Sequence, residues 1–207
     1  MAISTYAELQ DAILAWINKQ DIEQSLDSII AMTEADLNRK VRHWKMEKRA
    51  TVSLDDQYSR VPSDWIETIR FYLTGNGTSE LILASRSDLL NRRELANDTG
   101  GTPRYYTMSD GAFEVFPTSN GNFTAELLYY GKTDALSNSV TTNWLLTDHP
   151  DVYLYGSLVH ASAFMGEDNR IQVWNTMYQT ALDQVNGSSE AARYSGSGLR
   201  MKIRSYG

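Results

Sequence analysis

The chain of 207 residues contains no cysteine. Disulfides, thiolate zinc sites and cysteine nucleophiles are therefore excluded together. Histidine is nearly as scarce, with only His43, His149 and His160. Each stands alone in its neighbourhood, and the last two would be separated by about 16 Å of rise even on one continuous helix, too far to share a metal. Structural or surface roles are expected for all three. No apolar run, Ala12 to Ile17 included, approaches the ~20 residues needed to cross a bilayer. Met1 to Thr5 lacks a basic leader and runs straight into a capped helix. We therefore expect no signal peptide, and a soluble protein made in a cytoplasm.

Catalytic motifs are missing as well. Gly-x-Ser-x-Gly does not occur, since Gly196-Ser197-Gly198 lacks the spacing. Gly75-x-Gly77 and Gly196-x-Gly198 lack the third glycine and the strand-to-helix setting of a dinucleotide loop, and there is no phosphate-cradling Gly-Lys-Ser/Thr. Asp55-Asp56 falls at a turn, and Asp148 with Asp151 flanks a helix start, where acids complement the dipole. No catalytic, cofactor-binding or metal-binding residue is assigned. A glycan-degrading enzyme using a carboxylate pair is the rival reading.

What is present is an ordinary globular composition, 42% hydrophobic and 22% charged, with a net charge of −7. Thr5 and Glu8 have capping-box spacing, and Leu9, Ala12, Ile13, Trp16 and Ile17 follow at helical intervals. A second helix is predicted through Leu26, Ile29, Ile30, Thr33, Leu37, Val41 and Trp44. Arg39, Lys40, Arg42, Lys45, Lys48 and Arg49 in its last turns suit the negative end of the dipole.

From Ala50 to Tyr130 the period shortens to two. Strands are predicted over 50–54, 57–61 and 65–73, then a hairpin through Gly75-Asn76-Gly77 with 80–84 as its return strand. Residues 85–96 read as a short helix, followed by strands over 103–108, 112–116 and 123–130. Asn143 to Pro150 forms a turn leading into a helix over 151–165, with Pro150 in its first turn. A last helix spans 170–185, with Trp174, Met177, Tyr178, Ala181, Leu182 and Val185 in register.

The predicted fold class is thus α+β, an antiparallel helical bundle from both chain ends with an inserted antiparallel β-subdomain. We divide the chain into bundle helices at 1–49, the β-subdomain at 50–131, further bundle helices at 132–186 and an extended C-terminal arm at 187–207.

That arm differs from the rest. It carries one acid, Glu190, against Arg193, Arg200, Lys202 and Arg204, so the remainder of the chain is near −10. It has too little apolar mass to fold alone, yet it holds spaced anchors at Leu199, Met201, Ile203 and Tyr206. Extended at about 3.3 Å per residue it would span roughly 70 Å. Docking on a partner chain is the expectation. The acidic body argues against nucleic acid gripped by broad charge attraction.

Adjacent aromatics on a strand point to opposite faces, so one of Tyr105-Tyr106 and one of Tyr129-Tyr130 lies off the core face. Tyr105 and Tyr130 are candidates for subunit contacts. The basic Arg39, Lys40 and Arg42 read as a solvated, dipole-compatible face or as a rim touching phosphate or an acidic neighbour.

Leu127-Leu-Tyr-Tyr-Gly131, Thr142-Asn-Trp-Leu-Leu146, His149-Pro-Asp-Val-Tyr-Leu-Tyr-Gly156 and Ala192-Arg-Tyr-Ser-Gly196 with Leu199-Arg-Met201 resemble, in order and spacing, the head-to-tail adaptor (connector) family of tailed bacteriophages, short-tailed type. Thr5-Tyr-Ala-Glu-Leu9, Glu34 to Arg39, Met46 to Arg49, Val61-Pro-Ser-Asp-Trp65 and Thr102 to Tyr106 extend the similarity over nearly the whole chain. The resemblance implies a nonenzymatic ring, usually of twelve copies, in the virion neck. Such a ring sits beneath the portal protein, receives the tail or nozzle protein and lets double-stranded DNA pass without sequence-specific binding or any membrane. It also implies that the arm reaches the portal, with Arg193, Tyr194, Leu199, Arg200, Met201, Lys202, Ile203, Arg204 and Tyr206 as contact candidates. A lumen lined by such acidic copies would repel phosphate, letting the genome slide. In such a ring Arg39, Lys40 and Arg42 become subunit-contact candidates.

Overall fold

A computed structural model describes residues 3–17, 22–75, 79–97, 100–165 and 170–194. The fold is α+β, and the chain divides into two compact units, Met1–Lys45 with Thr133–Gly207, and Met46–Lys132.

The first unit is helical. Helix α1, Tyr6–Ile17, starts on the capping box read from sequence: the Glu8 carboxylate accepts from the N–H groups of Ser4 (2.8 Å) and Thr5 (3.0 Å), and the Glu8 N–H reaches Thr5 Oγ1. Three backbone donors of the first turn and its approach are thereby satisfied. Helix α2, Leu26–Lys40, buries Leu26, Ile29, Ile30, Thr33 and Leu37 at spacings of three and four. After α3, Arg86–Ala96, in the other unit, come the short α4, Trp144–Asp148, then α5, Pro150–Met165, and α6, Ile171–Tyr194. Asn143 caps α4 by accepting the Leu146 N–H at 2.9 Å.

Helix α5 is the centre of this unit and packs against α1, α2, α4 and α6. Val152, Tyr153, Leu154, Leu158 and Ala161 are buried, and the buried Ser157 Oγ lies 3.3 Å from Thr33 Oγ1 of α2. Gly156 permits this closeness. A Cβ there would lie 2.7 Å from Thr33 Cγ2 and 3.0 Å from the Tyr178 ring.

The second unit is a two-layer β structure. One sheet has the order β1-β8-β3-β4 and the other β2-β7-β6-β5, where β1 is Glu47–Leu54, β2 Tyr58–Arg60, β3 Trp65–Thr74, β4 Ser79–Glu80, β5 Ile82–Leu83, β6 Tyr105–Ser109, β7 Ala112–Phe116 and β8 Phe123–Gly131. Leu54, Phe71, Leu73, Ala125 and Leu127 of the first sheet and Tyr106, Phe113 and Val115 of the second share one core. The Phe71 ring meets Phe113 at 4.8 Å and Tyr106 at 5.2 Å, both in the spacing range of favourable aromatic pairs. Helix α3, Arg86–Ala96, is N-capped by Ser85, whose Oγ accepts the Asp88 N–H. Arg93 holds α3 against the second sheet by pairing with the buried Glu114 and donating to the Val115 carbonyl at 3.1 Å.

Four local expectations need correction. Helix α2 stops at Lys40 instead of running to Trp44, because Val41 is extended (φ −88°, ψ 131°) and the amides beyond it take side-chain partners from α6. Lys48 and Arg49 consequently lie in β1, not in a last helical turn. The expected return strand over 80–84 is split, since buried Leu81 donates its N–H to Phe71 and the chain then crosses to the other sheet. There β5 pairs with β6 in parallel, so that sheet is mixed. Lastly, α6 continues through Gly187 to Tyr194.

Candidate functional site

The last turns of α6 grip the connection that leaves α2. Asn186 Oδ1 accepts the Arg42 N–H at 3.0 Å while its Nδ2 donates to the Lys40 carbonyl, and Ser189 Oγ accepts the Trp44 N–H at 2.9 Å. These bonds satisfy a non-helical segment and explain why the helix survives the glycine: Val185 and Ser189, four residues apart, are both buried.

Over this grip lies an aromatic and basic cluster. The buried His43 ring stacks on Trp144 with centroids 4.8 Å apart, Trp44 is 5.6 Å away and His149 6.4 Å away. The two histidines are therefore neighbours, contrary to the isolation expected from their sequence separation. Lys45 sits over the Trp44 and Trp144 rings at 5.6 and 5.9 Å and pairs with Asp148. His43 Nδ1 accepts the Lys45 N–H at 3.2 Å, and Nε2 lies 3.4 Å from Ser188 Oγ. Burial first, then the neighbouring His149 and Lys45, push the His43 pKa below its ordinary value.

Of the residues read as contacts, Arg193 and Tyr194 end α6, where a cation complements the dipole. Leu199, Arg200, Met201, Lys202, Ile203, Arg204 and Tyr206 lie outside the described residues. Arg39 and Lys40 both reach Asp36, at 3.5 and 2.7 Å, and Lys40 also sits 5.3 Å from the Tyr178 ring centre. The Arg42 guanidinium donates to the carbonyls of Asn38 and Val41, closing the end of α2. Arg39 is the most exposed of the three pairing groups, at 71% of its side chain. Tyr106 and Tyr129 are core residues while Tyr105 and Tyr130 are half-buried, the alternation expected of strands. Tyr105 carries the Arg92 guanidinium on its ring at 4.3 Å.

The well-buried carboxylates are committed to packing. Burial raises the Glu34 pKa, and its carboxylate accepts the Leu136 N–H at 2.7 Å. At Asp36 and Glu114 burial acts upward too, but hydrogen bonds from Lys40 and Tyr178, and from Arg93 and Gln57, outweigh it and hold both groups low. Asp55 and Asp56 are exposed in the β1–β2 turn. Among the described residues no group of three or more His, Asp or Glu is placed to hold a metal ion, and no helix is long and apolar enough to cross a membrane.

Residues 4–202 match the family model described as SU10 adaptor protein. The chain belongs to the SU10 adaptor protein family. Membership over almost the full length makes it a bacteriophage head-tail adaptor, a structural type of virion protein that associates with portal and tail proteins. No curated protein matches the chain. An SU10 adaptor is a structural protein, and surfaces and fixed points are what a structural protein uses. Sequence reasoning missed the most local of those, Asn186, Ser188 and Ser189, because Asn-Gly-Ser-Ser has the composition of a helix end. The one available signal was the buried spacing of Leu182, Val185 and Ser189.

Proposed function

We propose that this adaptor assembles as a homo-oligomeric ring, of twelve copies by resemblance, that docks on the portal, receives the tail or nozzle protein and lines the passage for double-stranded DNA in the virion neck. It does so without catalysis. The arm is assigned to residues 195–207, with Arg193 and Tyr194 as its root. The single observation that carries this reading is the family match over residues 4–202. The geometry at the root supports it: Asn186, Ser188 and Ser189 pin the end of α6 to residues 40–44, so the basic segment departs from a defined point.

Because α6 extends to Tyr194, the arm is shorter than the composition break suggests. Thirteen residues reach roughly 43 Å when fully extended at about 3.3 Å each. Three basic residues (Arg200, Lys202, Arg204) and apolar side chains at alternate positions (Leu199, Met201, Ile203) suit strand addition to an open edge of the portal. The net charge of −7 per copy keeps DNA phosphates from adhering to the passage.

The test is assembly on purified portal rings, followed by mass photometry and negative-stain imaging, of the whole chain and of a chain ending at Tyr194. The whole chain should add a ring to the portal and the shortened chain should not. Equal decoration by both would overturn the arm assignment.

A further inference from the structure

Among the described residues no further strand is paired at either end of the mixed sheet of the β unit, β2-β7-β6-β5, although β1 lies beside β2, where the Ser59 hydroxyl donates to the Ser53 carbonyl at 2.7 Å. The two ends are complementary. At one edge, β5 is paired only with β6, through the N–H groups of Ile82 and Ala84 donating to Arg104 and Tyr106. The Leu83 N–H and C=O between them therefore point away from the sheet. Ile82 and Leu83 are 57% and 66% exposed, an unusual state for adjacent apolar residues on an edge strand. At the other edge, the Val115 N–H donates to Gln57 and the Val61 N–H to Gly111. Alternation along this antiparallel pair turns the backbone groups of Tyr58 and Arg60 outward, and the Tyr58 side chain is 52% exposed.

Direction and level agree. Strand β6 is antiparallel to β7 and β7 to β2, while β5 is parallel to β6, so β2 and β5 run the same way on opposite sides of one sheet. Leu83 is level with Tyr106, Tyr106 with Val115, and Val115 with Gln57. Charge agrees as well. Arg86 and Arg104 are exposed beside β5, Arg86 within electrostatic range of Glu114, whereas exposed Asp55 and Asp56 lead into β2. Arg60 is the one cation on the acidic side.

Two edges of equal direction and opposite charge on one molecule cannot satisfy each other, but they fit a second copy head to tail. Contacts of that kind close into a ring when the rotation between copies divides the circle. We propose that the β5 edge of one subunit pairs in parallel with the β2 edge of the next, continuing the sheet across each subunit boundary. This rests on the ring reading above and names its contact.

Absence of cysteine makes the test direct. A chain carrying both Leu83→Cys and Tyr58→Cys, and each single variant, are assembled on portal rings, treated with a short bismaleimide and run on a denaturing gel. The double variant should give a ladder of dimers, trimers and higher multiples, and the single variants should remain monomers. Dimers from Leu83→Cys alone would overturn the proposal in favour of a two-fold contact. A double variant that assembles as the parent does but gives no ladder would also overturn it, leaving the ring intact. If the unsubstituted chain never exceeds a monomer by mass photometry, with or without portal rings, the ring reading itself fails and the edge pairing falls with it.

Discussion

The imidazole of His43 lies against the indole of Trp144, with ring centroids 4.8 Å apart and planes inclined by 22°. One face of the imidazole is thereby closed, and its Nδ1 is occupied as an acceptor of the Lys45 N–H. Protonation at Nδ1 removes that hydrogen bond and places a positive charge beside that of Lys45, with Arg193 also in electrostatic range and Asp148 opposing them.

The folded protein should therefore lose stability as pH falls below the ordinary histidine value of 6.5. The folded pKa is depressed, so the unfolded chain binds the proton first, and stability drops with pH until the folded value is reached. Each such group contributes a slope of at most about 1.4 kcal/mol per pH unit. His160, also lowered mainly by burial, adds in the same direction. Denaturant unfolding between pH 7.5 and 5.5 measures the slope, and His43→Gln should reduce it. An unchanged slope in that variant would show that His43 does not titrate during unfolding.

Gly187 is exposed within α6, and a Cβ added there meets nothing within 4 Å. Gly187→Ala should stabilise the protein by about 0.5–1 kcal/mol, since a helix-interior glycine carries a backbone-entropy cost that alanine lacks. The midpoint of chemical unfolding reads this, with the slope unchanged.

Asn186→Ala should act oppositely, by removing the side-chain bonds to the Arg42 N–H and the Lys40 carbonyl. A cost of about 1–2 kcal/mol is expected. Hydrogen exchange should quicken for the amides of residues 188–194 and remain unaltered in the β strands. Uniform quickening would argue against a local grip.

At Gly156 the close passage of α2 and α6 leaves no room for a methyl group. Gly156→Ala should destabilise by about 1–3 kcal/mol, the usual range for overpacking. Combining it with Thr33→Ser removes the Cγ2 atom 2.7 Å from the new Cβ and should recover part of the loss. Thermal unfolding of the two variants and the pair completes the comparison.

Glu114→Ala should cost about 3 kcal/mol, because it removes the carboxylate that pairs with the Arg93 guanidinium in a largely buried position. Arg93→Leu with Glu114→Leu should be far milder than either loss of one partner. Circular dichroism melts of the three chains decide between these outcomes.

Elements whose cause is local were legible in the sequence. Thr5 and Glu8 are three residues apart, and their reciprocal bonds form as their spacing requires; the strands around Phe113 and Leu127 follow from a period of two. Tyr105 and Tyr106 divided between two faces for the same reason. The failures share a different cause. Val41 leaves the helix because Asn186 and Ser189, more than 140 residues away, supply the bonds that the helix would have given. His43 meets His149 through the same closure. Leu81 breaks the hairpin because a core built by two sheets accepts its side chain. None of these partners lies inside the window over which periodicity or capping can be read.

Glu47, at the start of β1, is paired in register with Tyr130, near the end of β8. The polypeptide thus enters and leaves the β unit on neighbouring strands, about 5 Å apart. A segment whose two ends nearly touch can be exchanged for another of different size, or deleted behind a short joint, without stretching the helices that flank it.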